Sequence, residues 1–160
     1  MSHVDNRAST GSSYNPVKGK LASMQECLTQ LAKALPANKH EYVAADRMTH
    51  SFVKSCFSMT LQRVIDINRV FIESRGEQLP HNNSRSFYLI WQIGTIDDET
   101  LDFFRHALDC YKKLADPYHD LSDTLLYEMT HALLKHGKKY IDQMNEFFMG
   151  PDRVPATASP

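Results

Sequence analysis

Apolar residues recur along this chain at the three-and-four spacing of amphipathic helices, and no segment reads convincingly as a strand. The first run, Leu21, Met24, Leu28, Leu31 and Leu35, follows Asn15-Pro16, a capping residue with proline at the first helical position. It stops at Pro36. A second begins at Asn38, with Glu41 three residues later to close a capping box. Val43, Phe52, Val53, Cys56, Phe57, Leu61, Val64, Ile65, Phe71 and Ile72 carry it to Arg75-Gly76, which makes it long. A polar loop, "EQLPHNN", leads to a short third helix, "SRSFYLIWQIG". Asp97 caps the fourth, with Leu101, Phe104, Leu108 and Tyr111 on its apolar face. Ser122 caps the fifth, carried by Leu125, Leu126, Met129, Leu133, Tyr140, Ile141, Met144 and Phe147. Short connections between long helices predict an all-α, five-helix antiparallel bundle.

The helical pattern stops short of both ends. Residues 1–14 are rich in Ser, Asn and Gly, and the tail "GPDRVPATASP" has nothing to pack, so 1–14 and 150–160 are expected to be disordered. Residues 15–149 form one helical domain, and the 160-residue chain is long enough to bury a proper core. No apolar run approaches the ~20 residues of a membrane span, and the N-terminus lacks the apolar centre of a secretory signal. Cys27, Cys56 and Cys110 are scattered, with no CxxC pair, which suits a reducing compartment. The expected location is the cytoplasm, without membrane contact.

The net charge of −1 gives no global attraction to nucleic acid, but its distribution is uneven. Residues 97–128 hold nine acids against Arg105, Lys112 and Lys113, which disfavours an RNA backbone there. Glu128 and His131 have the i, i+3 spacing of a metal-binding helix, but a di-iron bundle needs a second such pair and further glutamates. The pair therefore reads as a solvated face, and neither metal nor cofactor is expected. "KHGKKY" (Lys135, Lys138, Lys139) reads the same way. No glycine-rich phosphate loop or nucleophile elbow occurs. Trp91 is read as core. Asp66, inside "RVIDINRVFI", either faces outward beside Arg63 or Arg69 or is a buried carboxylate awaiting a partner, and periodicity does not choose.

The order of these pieces resembles the HepT-like branch of the HEPN (higher eukaryotes and prokaryotes nucleotide-binding) proteins over about residues 16–148. "HEYVAADRMTHSFVKSCFSMTLQRVIDINRVFIESRG" is similar to that family's long helix with its Ile-Asp-Ile centre and glycine end. "LPHNNSRSFYLIWQIGTID" is similar to its Pro, Phe, Leu, Gly and Ile spacing, and "ETLDFFRHALDCYKKLADPYHDLSDTLLYEM" to the segment that holds its catalytic motif. The resemblance implies a homodimer about the long helices. It also implies a nucleotidyltransferase-type antitoxin as partner, and metal-independent RNA cleavage in active members.

The family motif is Arg-Asn-x-x-x-His-x-Tyr. With Tyr118 on the motif tyrosine, Tyr111 falls on the arginine, Lys112 on the asparagine and Asp116 on the histidine. Only the tyrosine is kept. Cleavage needs a cation against the charge that builds on the phosphate, and a group that exchanges protons near neutral pH. Tyrosine and aspartate supply neither, so the expectation is a catalytically degenerate member that acts by homodimerisation and protein binding, not as an enzyme. The alternative is an active endoribonuclease with Lys113 and His119 as a shifted pair, although Pro117 disturbs their spacing. A further alternative is a helical adaptor unrelated to the family. Asp66 matches a polar position of the long helix near the motif, where it would orient basic residues missing from this chain. In relatives the partner can modify the motif tyrosine and silence the toxin. Without catalytic neighbours to silence, Tyr118 is expected to pack the helix end.

Overall fold

The computed structural model describes residues 15–148. The segments expected to be disordered, 1–14 and 150–160, lie outside the described residues. Six helices occur among the described residues: α1 (Pro16–Ala34), α2 (Lys39–Ala44), α3 (Arg47–Ser74), α4 (Asn83–Ile93), α5 (Asp98–Ala115) and α6 (Asp123–Phe148). The predicted caps form. Asn15 accepts the Val17 amide at 2.9 Å, Asn38 the Glu41 amide at 2.9 Å, Asp97 the Thr100 amide at 2.9 Å and Ser122 the Leu125 amide at 3.1 Å. Gly76 and Gly94 adopt φ of 75° and 100° at the ends of α3 and α4, a left-handed geometry that favours glycine.

The count differs from five because the long second helix is two. Ala45 and Asp46 take extended geometry (ψ 165° and 170°), and Asp46 then caps α3 by accepting the Thr49 amide at 2.8 Å. The break was hidden because apolar spacing runs on past it. Two residues used in that spacing, Val43 and Phe52, are exposed. Trp91 is only partly buried, and its indole N–H donates to Asp98 Oδ1 at 2.8 Å, tying the end of α4 to the start of α5.

Side-chain contacts give the topology. Tyr127 of α6 meets Pro36 and Ala37 beyond α1, while Gly137 lies against Leu28 and Met24, so α6 runs antiparallel to α1. A Cβ on Gly137 would stand 3.0 Å from Leu28 Cδ2, so this glycine of "KHGKKY" permits close helix approach. Lys139 in the same stretch is no free surface cation, since it bridges Asp97 at 2.9 Å and also Glu99, which fastens α5 to α6. Burial alone would raise the Asp97 pKa, but hydrogen bonds from Lys139, Thr100 and Gln143 outweigh it and hold the carboxyl well below the usual range. Glu128 pairs with Lys39 at 2.7 Å and His131 stacks on Tyr127, so neither turns to the other as a metal pair.

One polar network crosses the apolar core. The Tyr140 hydroxyl donates to Asn68 Oδ1 at 2.6 Å, Asn68 Nδ2 to Ser86 Oγ at 3.3 Å, and Ser86 Oγ to the Asn83 carbonyl at 2.6 Å. Tyr140, Asn68 and Ser86 are all buried. Asn68→Ala strands the Tyr140 hydroxyl in the core and leaves a void. The expected loss is about 2–3 kcal/mol in denaturant unfolding; an unchanged midpoint would refute the network's role.

Candidate functional site

The motif region lies where α5 ends and α6 has yet to begin. Ala115 is the last residue of α5, Pro117 cannot continue the helix, and Asp116 stands at its C-cap with its amide donating to the Lys113 carbonyl at 3.2 Å. The segment meets α3 at two points. Upstream, the Tyr111 hydroxyl donates to Gln62 Oε1 at 2.7 Å. Downstream, His50 Nδ1 lies 3.9 Å from Asp123 Oδ2, while its Nε2 donates to the Tyr42 carbonyl at 2.6 Å. Gln62 and His50 are twelve residues apart on α3, about 18 Å along its axis, and Tyr111 and Asp123 are twelve apart as well.

Two groups of hydrogen bonds organise the sequence-predicted residues. In the first, Asp66 Oδ1 accepts from Gln62 Nε2 at 3.2 Å, and Gln62 Oε1 accepts from Tyr111. Asp66 is half-buried, between the two alternatives left open by periodicity, and it faces Gln62 with no arginine of the motif beside it. Gln62 was not singled out from the sequence. Its one signal is position, a single helical turn before Asp66 and on the same face.

The second group is the turn itself. Asp116 Oδ1 accepts the Tyr118 amide at 2.9 Å, Asp116 Oδ2 lies 2.8 Å from His119 Nδ1, and the His119 amide donates to the Asp116 carbonyl at 3.1 Å. Donation from the Tyr118 amide, and then from His119, lowers the Asp116 pKa, so this carboxylate is anionic at neutral pH. Lys113 turns to Asp109, 3.9 Å away, so Lys113 and His119 each have an acid of their own. Tyr118 does not pack the helix end as expected. It is 94% exposed, in the turn between α5 and α6.

Beside this segment α3 presents an apolar stripe to solvent. Met48, Phe52 and Met59 are 78%, 54% and 48% exposed. They follow one another at helical spacing and run on into Gln62 and Asp66. Phe52 and Met59 lie between the two attachment points of the motif segment.

The family described as "Ribonuclease HepT-like" matches residues 24–144 of this chain. Among solved structures, a tri-AMPylated Shewanella oneidensis HEPN toxin in complex with MNT antitoxin is similar at a TM-score of 0.74 and 16% identity, covering 82% of this chain and 98% of that one. A mutant of the MntA-HpeT toxin-antitoxin gives 0.70 and 17%, with the same coverage of 82% and 98%. A toxin-antitoxin structure with AMP-PNP gives 0.72 and 15%, covering 81% and 96%. Among curated proteins none matches. The shared fold is that of the HEPN toxins.

The depressed Asp116 pKa gives the turn an acid limit. Its hold is complete above the ordinary carboxylate value of about 3.9 and is lost only as pH falls through the lower folded value. The Tyr118 amide proton shift is therefore expected to titrate with a midpoint below about 3.9. A midpoint at or above that value would mean that the contact does not form.

Proposed function

Because the chain belongs to the HepT-like ribonuclease family, we propose that it is the HEPN component of a toxin–antitoxin pair whose own nuclease site is silent. It acts by pairing with a second copy and by binding an MNT-type nucleotidyltransferase, with Tyr118 as acceptor of the transferred nucleotidyl group. Membership leaves no place for an unrelated adaptor.

One observation carries the silent-site reading. The motif's arginine and histidine positions hold a phenol hydrogen-bonded to Gln62 and a carboxylate with lowered pKa. An RNA phosphate brought to them meets no guanidinium fork and an extra negative charge, which repels it and leaves the transition state without its counter-charge. The dimer is supported by the α3 stripe, since Met48, Phe52 and Met59 form the kind of exposed apolar row that marks an interface. The partner is supported by the neighbouring structures, which are toxin–antitoxin assemblies, one of them AMPylated. The family context supports a cytoplasmic location; among the described residues no helix is long and apolar enough to cross a membrane.

A second reading is favoured by the Asp116–His119 contact of 2.8 Å, because a carboxylate that orients an imidazole is also how a general base is built. Lys113 and His119 then cut RNA as a shifted pair. The two readings separate on a mixed RNA pool. Wild type and His119→Ala are expected to leave it intact, and Tyr111→Arg with Asp116→His to restore cleavage. RNA cut by wild type and spared by His119→Ala would establish the second reading instead. Phe52→Asp is expected to turn the dimer into a monomer in sedimentation analysis, and a wild-type monomer would remove the pairing.

A further inference from the structure

Resting on the reading of Tyr118 as nucleotidyl acceptor, we propose that Asp116 is a positioning residue for that transfer, fixing the backbone from which the phenol projects. A side chain 94% exposed takes no orientation from packing, so its backbone must supply it. That backbone is ordered chiefly by one residue. Asp116 Oδ1 takes the Tyr118 amide at 2.9 Å, its carbonyl takes the His119 amide at 3.1 Å, and its own amide is tied to Lys113 at the end of α5 at 3.2 Å. Pro117, between them, has its φ fixed by its ring.

The residue type fits this task. A carboxylate separated from Cα by a single methylene reaches the amide two residues on and closes an Asx turn. The motif's histidine, in the same place, is there for proton exchange. The substitution at 116 thus exchanges a catalytic group for a turn-forming one, while the acceptor two residues later is kept and displayed. The two carboxylate oxygens do separate work. Oδ1 holds the Tyr118 amide and Oδ2 holds His119.

In the transfer, the Tyr118 phenol oxygen bonds to the α-phosphorus of a nucleoside triphosphate supplied with the partner. The bond from that phosphorus to the oxygen leading to the β-phosphate breaks, pyrophosphate leaves, and the phenol proton passes to solvent. A preformed turn lowers the ordering cost of entering the partner's active site, and the saving appears in binding.

The experiment uses the full chain, the MNT antitoxin of the Shewanella oneidensis pair and ATP, with intact mass and initial rates as readouts. Tyr118→Phe is expected to take no nucleotide at that position. Asp116→Ala should lose on the order of tenfold in kcat/KM, mainly through KM. Asp116→Asn keeps an oxygen for the amide and should stay within about twofold of wild type, as should His119→Ala. Without any partner, hydrogen exchange of the Tyr118 amide should accelerate on the order of tenfold in Asp116→Ala and not in Asp116→Asn. Asp116→Ala modified at the wild-type rate overturns the positioning role and leaves the acceptor reading standing. A wild-type chain that takes no nucleotide, or a Tyr118→Phe chain modified as fully as wild type, overturns both.

Discussion

The bond from the Tyr140 hydroxyl to Asn68, with both residues fully buried, fixes how α6 lies along α3. Apolar surfaces tolerate sliding, because one methyl group replaces another. A buried donor and acceptor do not, since a shift of one turn leaves both without partners in a medium that cannot hydrate them. The register follows along the whole interface. Partner numbers differ by 72 for Asn68 and Tyr140, by 73 for His50 and Asp123, and by 76 for Phe71 and Phe147. The near-constant offset means that α3 and α6 run parallel, with their N-terminal ends set by a contact toward their C-terminal ends. The Lys139 bridge to Asp97 and Glu99 then aligns α5 against α6, and Tyr111 arrives opposite Gln62.

The motif segment therefore has little freedom at its ends. It leaves α5 one turn after Tyr111 and reaches α6 at Asp123, and both of these residues face α3. Between these points, organisation comes from local hydrogen bonds. On the proposed reading, the loss of nuclease chemistry and the retention of a displayed tyrosine have one physical origin. Placing a carboxylate where a proton carrier belongs removes the catalyst, and the same carboxylate closes the turn beneath Tyr118. The lowered pKa of Asp116 belongs to both effects, because its first cause, the Tyr118 amide, is also the donor that closes the turn.

Helix ends were the most legible feature of the sequence, because a cap is a contact between residues two or three apart. Asn15, Asn38, Asp97 and Ser122 all cap as their spacing implied. The break before α3 carried the same kind of signal, Asp46 three residues before Thr49, but continuous apolar spacing masked it. What could not be read was which apolar positions a neighbour covers. Val43 and Phe52 share the periodicity of Val53 and Phe57, yet the first two are exposed and the last two are buried. Periodicity defines a face, whereas burial depends on register between helices far apart in sequence. Tyr118 was misjudged for a related reason. Its orientation follows from an Asp116 turn that composition does not reveal. Gln62 was missed because its partner Tyr111 is 49 residues away.

The exposed stripe on α3 joins these points. About three turns of helix carry Met48, Phe52 and Met59 outward and then give way to Gln62 and Asp66, so the apolar row ends where the polar chain to Tyr111 begins. If a second copy covers the row, as proposed, burial of these side chains favours association, while the polar end needs its hydrogen bonds kept. Gln62 meets that condition within one chain. Its amide oxygen takes the Tyr111 hydroxyl and its nitrogen donates to Asp66, so a phenol and a carboxylate can sit near an interface already supplied with partners. Where an active relative would place an arginine beside such a carboxylate, this chain has a neutral link between α5 and α3. On the proposed reading, the motif segment thereby keeps its tie to α3 without the arginine of the family motif.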